Sequence, residues 1–196
     1  MVATLVLSPL LLTAYGLVQW IDGADGEYGP GPAWTAGHLL FLAGFLLFAV
    51  VLVTIRRMVI SARLVASIAL VAGLLGVLSF VRIIMIDLLV ALRSSDHQMM
   101  SDLRDAYDRW PGDLGVYDAL YPVGPLLFLC GLHALMVLLV LQGRLPLWSP
   151  AVLVLGVSAI VAGLNLMPLS GALILASLVP LLQSARAQHK APSEAS

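Results

Sequence analysis

An all-α, polytopic membrane protein with six crossings is the fold this chain predicts, and three features of the sequence carry that reading. Hydrophobic types make up 61% of the 196 residues and charged types 11%, against roughly a quarter charged in soluble domains. Apolar stretches at 2–21, 33–55, 64–92, 119–142 and 145–185 take up most of the length, and the charges fall almost entirely between them. Basic and acidic connections then alternate along the chain. Lipid offers the backbone no hydrogen bonds, so each crossing is a helix of about 20 apolar residues.

The first four stretches fit one helix each. The first lacks a basic leader and an Ala-x-Ala site, so it reads as a retained helix rather than a removed signal. The last stretch runs 41 residues without a charge, about 60 Å as a single helix, which is twice the hydrocarbon thickness. It is expected to reverse once, at Asn165–Gly171, where Pro168 removes a donor and Gly171 relaxes the dihedral limits. The predicted spans are therefore 2–21, 33–55, 64–92, 119–142, 149–166 and 168–185. They form one transmembrane domain over 1–186, and the tail 187–196 is expected to be disordered.

Charge fixes an expected orientation. Arg56, Arg57 and Arg63 follow the second span, Arg144 the fourth, and Arg186 with Lys190 the sixth. An even number of crossings puts all six on one side, which the positive-inside rule makes cytoplasmic, together with both termini. Asp22, Asp25, Glu27, Asp96, Asp102, Asp105, Asp108, Asp113 and Asp118 fall on the other side. Trp20, Tyr28, Trp34, Trp110, Tyr117 and Tyr121 would ring the outer interface, and Trp148 would mark the inner one. The expected location is the cell membrane. Cys130 lies within the fourth span and is the only cysteine, so no internal disulfide forms. A net charge of −1, arranged asymmetrically, argues against nucleic acid as a partner.

The second and fourth spans match at an offset of 87 residues. Gly37, Leu39, Leu40, Phe41, Leu42 and Gly44 recur as Gly124, Leu126, Leu127, Phe128, Leu129 and Gly131, with ten of 21 positions identical. Val71-Ala72-Gly73-Leu74 then recurs as Val161-Ala162-Gly163-Leu164. A duplicated helical hairpin, spans two and three repeated as four and five, accounts for this pattern. Small residues Ala62, Ala66, Ala69, Gly73 and Gly76 share one face of the third span, and Gly156, Ala159 and Gly163 share one face of the fifth. In lipid such stripes mark helix contacts. They predict that the third and fifth spans pack together near the centre, about a two-fold axis along the membrane normal.

Five polar residues are candidate ligand or partner contacts: His38, Arg82, Asp87, His133 and Asn165. Ionisable groups within spans are costly and are functional candidates by default. From Arg63, Arg82 lies about 28 Å and Asp87 about 36 Å along the helix, so both are expected near the outer surface, Asp87 in the headgroup layer. They are about 140° apart around the axis, which aims a direct pair poorly. His133 is the deepest titratable group, about 16 Å from Arg144, and is expected to hydrogen-bond a neighbouring helix. Asn165 stands at the hinge. His38 and His133 differ in height by about 12 Å in the repeat, which argues against a bis-histidine haem. No metal-ligand, redox-cysteine, phosphate-loop or nucleophile-elbow pattern occurs, and no span contains a lysine for a Schiff base. No catalytic residue, metal or cofactor is assigned.

The longest polar connection, 93–118, predicts a short amphipathic helix over 95–110. Ser95 would cap it, Met99, Leu103, Tyr107 and Trp110 would form its apolar face, and Pro111-Gly112 would end it. Such a helix suits a lid, a partner-docking element or a plain connector.

Three functional classes fit. A non-enzymatic protein binding membrane lipid, a partner membrane protein or a small lipophilic ligand ranks first, because reactive residues are nearly absent. A small carrier for a hydrophobic or weakly polar solute ranks second, with Pro9, Pro122, Pro125 and Pro180 as bending points. An enzyme acting on lipid head groups at the outer surface, through Arg82, Asp87, His38 and His97, ranks third.

Overall fold

Proline and glycine divide the apolar sequence into helices. In the computed structural model, which describes residues 2–26, 28–108 and 116–190, these are α1 (Val2–Asp22), α2 (Pro32–Met58), α3 (Arg63–Arg93), α4 (His97–Asp108), α5 (Val116–Leu141), α6 (Trp148–Ala162) and α7 (Met167–Lys190). Short 3-10 turns occupy Gly23–Asp25 and Leu164–Leu166. No strand occurs among the described residues. Pro32 opens α2, where an N–H would lack a helical partner anyway. Gly143, with φ +67°, turns the chain after α5.

Five helices are long and apolar enough to cross a membrane: α1, α2, α3, Val123–Leu141 within α5 and Met167–Ser184 within α7. The fifth expected span, 149–166, is shorter than anticipated. Its helix is the 15-residue α6, which stops at Ala162 and rises only about 22 Å. The reversal accordingly falls at residues 163–166, and Pro168 sits in the first turn of α7 rather than in the bend.

α1 packs between α2 and α7, α3 packs between α2 and α5, and α6 lies along α7. The centre is aromatic. Phe41, Phe45 and Phe48 share one face of α2, and Phe45 stacks on Phe80 of α3 at 3.9 Å and meets Phe128 of α5 edge-on at 5.3 Å. Tyr15 of α1 stacks on Phe41 at 4.3 Å. Offset and edge-on ring pairs of this kind add to plain burial.

The small residues of α3 are buried, as a contact stripe requires, but their neighbours are α5 and α2. A Cβ on Gly76 would strike the Phe128 backbone, one on Gly131 would strike Gly73 and the Ala69 carbonyl, and one on Gly73 would meet Leu52 at 2.9 Å. α3 and α5 thus run antiparallel in backbone contact. The expected pairing of the third and fifth spans does not occur, since α3 and α6 make no contact among the described residues. The reason lies in α5, whose own glycines seven residues apart, Gly124 and Gly131, take the small face of α3. Gly156 packs instead on Leu173 and Ile174 of α7, and Ala159 is half-buried. Gly163 is not a packing residue at all. A Cβ there meets nothing within 4 Å, and its N–H closes the end of α6 on the Ala159 and Ile160 carbonyls.

Two sets of polar contacts define the ends of the bundle. At one end Arg144 donates to the Met58 carbonyl at 2.7 Å and Gln142 accepts from the Ile60 N–H at 3.1 Å, joining the two basic connections. Arg56 there bonds Ser67 and the Arg63 carbonyl. At the other end Trp20 donates to the Asn165 carbonyl at 3.0 Å, and the His97 ring contacts the Tyr28 carbonyl at 2.7 Å.

Candidate functional site: a buried carboxylate beneath the fourth helix

The site begins with the cap of α4. Asp96 Oδ1 accepts the Met99 N–H at 2.9 Å, and the Ser95 hydroxyl donates to Asp96 Oδ2 at 3.0 Å. The Met99 N–H, then Ser95, holds the Asp96 carboxyl below its usual range. Asp96, not Ser95, is therefore the capping residue, and the helix starts at His97 rather than at 95; it is described to Asp108, and its expected end at 110 lies outside the described residues. That start fixes which face turns inward. Met100 is buried against Trp34, Ile86, Val90 and Ala91, with Leu103 and Tyr107 packed beside it. Met99, expected on this face, is 41% exposed. Trp110 and Pro111-Gly112 lie outside the described residues.

Among the described residues, Arg104 brings a cation to this inward face. Arg104 reaches down so that Nη2 lies 3.1 Å from Asp87 Oδ1, while Asp87 Oδ2 lies 3.6 Å from His38 Nε2. The Asp87 and His38 side chains are 8% and 5% exposed, and that of Arg104 is 40%. Asp87 is covered by α4. His38 is held in turn by α2, with Nδ1 2.9 Å from the Trp34 carbonyl, its ring 4.1 Å from the Trp34 ring, and the Tyr15 ring edge-on at 5.6 Å. A carbonyl only accepts, so the Nδ1 contact requires a proton on that nitrogen. Arg104 and Asp87 then carry opposite charges, and the His38 ring borders the carboxylate on its other side.

The other candidates lie elsewhere. Arg82 lines a separate groove of about 350 Å³ with Met85, Ile86, Leu89, Arg93 and Tyr107, on a different face of α3 from Asp87. His133 is remote. Because Gly131 abuts Gly73, His133 sits roughly 24 Å of helix rise below Asp87. Its Nδ1 is buried without a hydrogen-bond partner among the described residues, so the expected interhelical bond is not formed there. Asn165 is exposed at the same end as Asp87 and contributes its backbone carbonyl rather than its amide. His97 ties the start of α4 to the α1–α2 connection. Among the described residues, no three His, Cys, Asp or Glu side chains gather as a metal site.

Sequence reasoning missed Arg104. Its signal was legible, because Met100, Leu103 and Tyr107 place a lone cation within an apolar helix face, where a carboxylate partner is required. The space beside His38, between α1 and α2, is a crevice of about 10 Å³ lined in part by Tyr15, Gln19, Asp22 and Trp34. It is barely the size of one water. Asp87 and His38 are chemically apt for proton transfer, yet both carboxylate oxygens are already engaged. What the geometry does is fasten α4 to the ends of α2 and α3.

No protein-family model, curated protein or solved structure matches this chain. Fold and site together define a class: an all-helical chain with several apolar helices of membrane-crossing length, consistent with a multipass membrane protein.

Proposed function

We propose that the chain crosses the cell membrane six times, with both termini cytoplasmic, and binds a lipid-like ligand or partner protein at its outer end without catalysing a reaction. One observation carries this reading: the Asp87 contact with Arg104 and His38 pins an amphipathic helix over the outer ends of α2 and α3, beside an apolar groove. A buried carboxylate paired across a surface helix and a membrane helix is expensive to build, and its use is to hold a cover in place. The meeting of the basic connections at one bundle end, with α4 at the other, supports the orientation. α6 serves as a short fifth crossing. Its about 22 Å, extended by about 6 Å through the turn at Leu164–Leu166, approaches the hydrocarbon thickness. The matched glycine pairs of α2 and α5, which pack on α1 and α3 respectively, favour a duplicated hairpin.

Transport and headgroup chemistry fit less well. His133 is separated from the outer site by the phenylalanine cluster, and Arg82 does not face Asp87. The test is mass spectrometry of lipids and proteins that copurify in mild detergent with the wild type and with Leu89→Trp, which fills the groove. A species enriched with the wild type and lost from the variant is expected. Identical copurification from both would overturn the reading.

A further inference from the structure

From the charge and shape of the groove beneath α4, we infer that its ligand is an anionic phospholipid, with the phosphate at Arg93 and one acyl chain lying along α3. The inference rests on the binding reading above and deepens it. Arg82, Met85, Ile86, Leu89 and Arg93 recur at helical spacing, so they form one stripe on α3, and Tyr107 of α4 closes its upper side. The stripe rises about 16 Å from Arg82 to Arg93. Among the described residues its lining holds two guanidiniums and no carboxylate, while Asp102 and Asp105 of α4 lie exposed. The groove volume of about 350 Å³ falls within the range that small-molecule sites occupy.

The stripe also continues downward. Below Arg82 the same face presents Leu78, Leu75 and Val71, which are 63%, 47% and 56% exposed and offer a chain an apolar track into the bilayer. α3 rises about 46 Å, close to the full thickness of a bilayer with its headgroups, so Arg93 stands at headgroup level. Arg93 already donates to the Tyr107 hydroxyl, and Arg82 is engaged within the protein. A guanidinium has five donors, so Arg93 can add a phosphate oxygen to its existing contact, while Arg82 adds positive charge lower in the groove.

The test is native mass spectrometry of the full chain from mixed micelles holding equal phosphatidylglycerol and phosphatidylcholine. Since one arginine near a charged membrane surface is worth roughly fivefold in binding, at least a fivefold preference for phosphatidylglycerol is expected. The preference should fall to parity in Arg82→Gln/Arg93→Gln, and it should shrink in the wild type as ionic strength rises toward 1 M, a readout that needs no variant. Equal occupancy by the two lipids in the wild type, or an unchanged preference in the double variant or at high salt, would overturn the inference. Leu89→Trp separates the two levels. If it lowers occupancy of both lipids while the wild type shows no preference, only the anionic assignment fails; if it changes neither, the groove is not the binding seat and the functional reading fails as well.

Discussion

Asp87 is the residue on which the α4 end of the bundle depends. A carboxylate this buried is tolerated only with matched charge and hydrogen bonds, and Arg104 supplies most of that match from a helix otherwise held by Met100, Leu103 and Tyr107 and by the contacts of His97 with Tyr28 and of Tyr107 with Arg93. The two partners differ in exposure, which gives a directional test. Arg104→Gln strands the more buried charge and should cost more than Asp87→Asn, which leaves a half-exposed guanidinium that water can solvate. We expect about 1–3 kcal/mol of local stability lost across residues 97–108, read as faster amide hydrogen exchange there, with part of the loss recovered in the double variant. Equal exchange in all three variants would remove the fastening role. The cap behaves separately. Because Asp96 is held below its usual carboxylate range, its contribution to α4 is full above that range and is lost as pH falls through the lowered value. Opening of the first turn of α4 should therefore increase in acid, and Asp96→Ala should show that opening at neutral pH. At this scale the sequence singled out His38 and Asp87 as ionisable groups within apolar stretches. Arg104 escaped because shifting the cap from Ser95 to Asp96 changes which residues the short helix turns inward.

Among the helices, the α3–α5 contact is the tightest, with glycine facing backbone on both sides. A Cβ at Gly131 cannot be absorbed by a flexible side chain, so Gly131→Ala should destabilise the bundle by about 2 kcal/mol or more, seen as a lower melting temperature in detergent. Gly73→Leu should do at least as much through Leu52. Gly163→Leu should melt like the wild type, because the position faces open space at a helix end. The stripe pattern made the buried faces of α3 and α6 readable, since small residues at spacings of three and four define a face. It did not reveal which helix each face meets. That choice depends on what the neighbouring helix offers, and Gly124 and Gly131 on α5 fit α3 at a closeness that α6 does not match. The amphipathic pattern likewise showed that a helix follows α3, while the tie to Asp87 depends on tertiary contact.

At the level of the whole molecule, composition and charge spacing made the helical, membrane-embedded character legible, because a chain 61% hydrophobic has too little polar surface to face water. The length of α6 was harder to read, since it is shorter than the run of apolar residues that contains it. Apolarity marks what lipid tolerates; the helix ends where Gly163 and the following turn break the backbone ladder. The central claim is that the basic connections and α4 lie on opposite sides of the membrane. Its most direct measurement is cysteine accessibility in intact cells, using Ser61→Cys in the α2–α3 connection and Ser101→Cys on α4, both exposed positions, in a Cys130→Ser background. An impermeant maleimide is expected to label Ser101→Cys in intact cells and Ser61→Cys only after permeabilisation. Labelling of both positions from the same side would contradict the account.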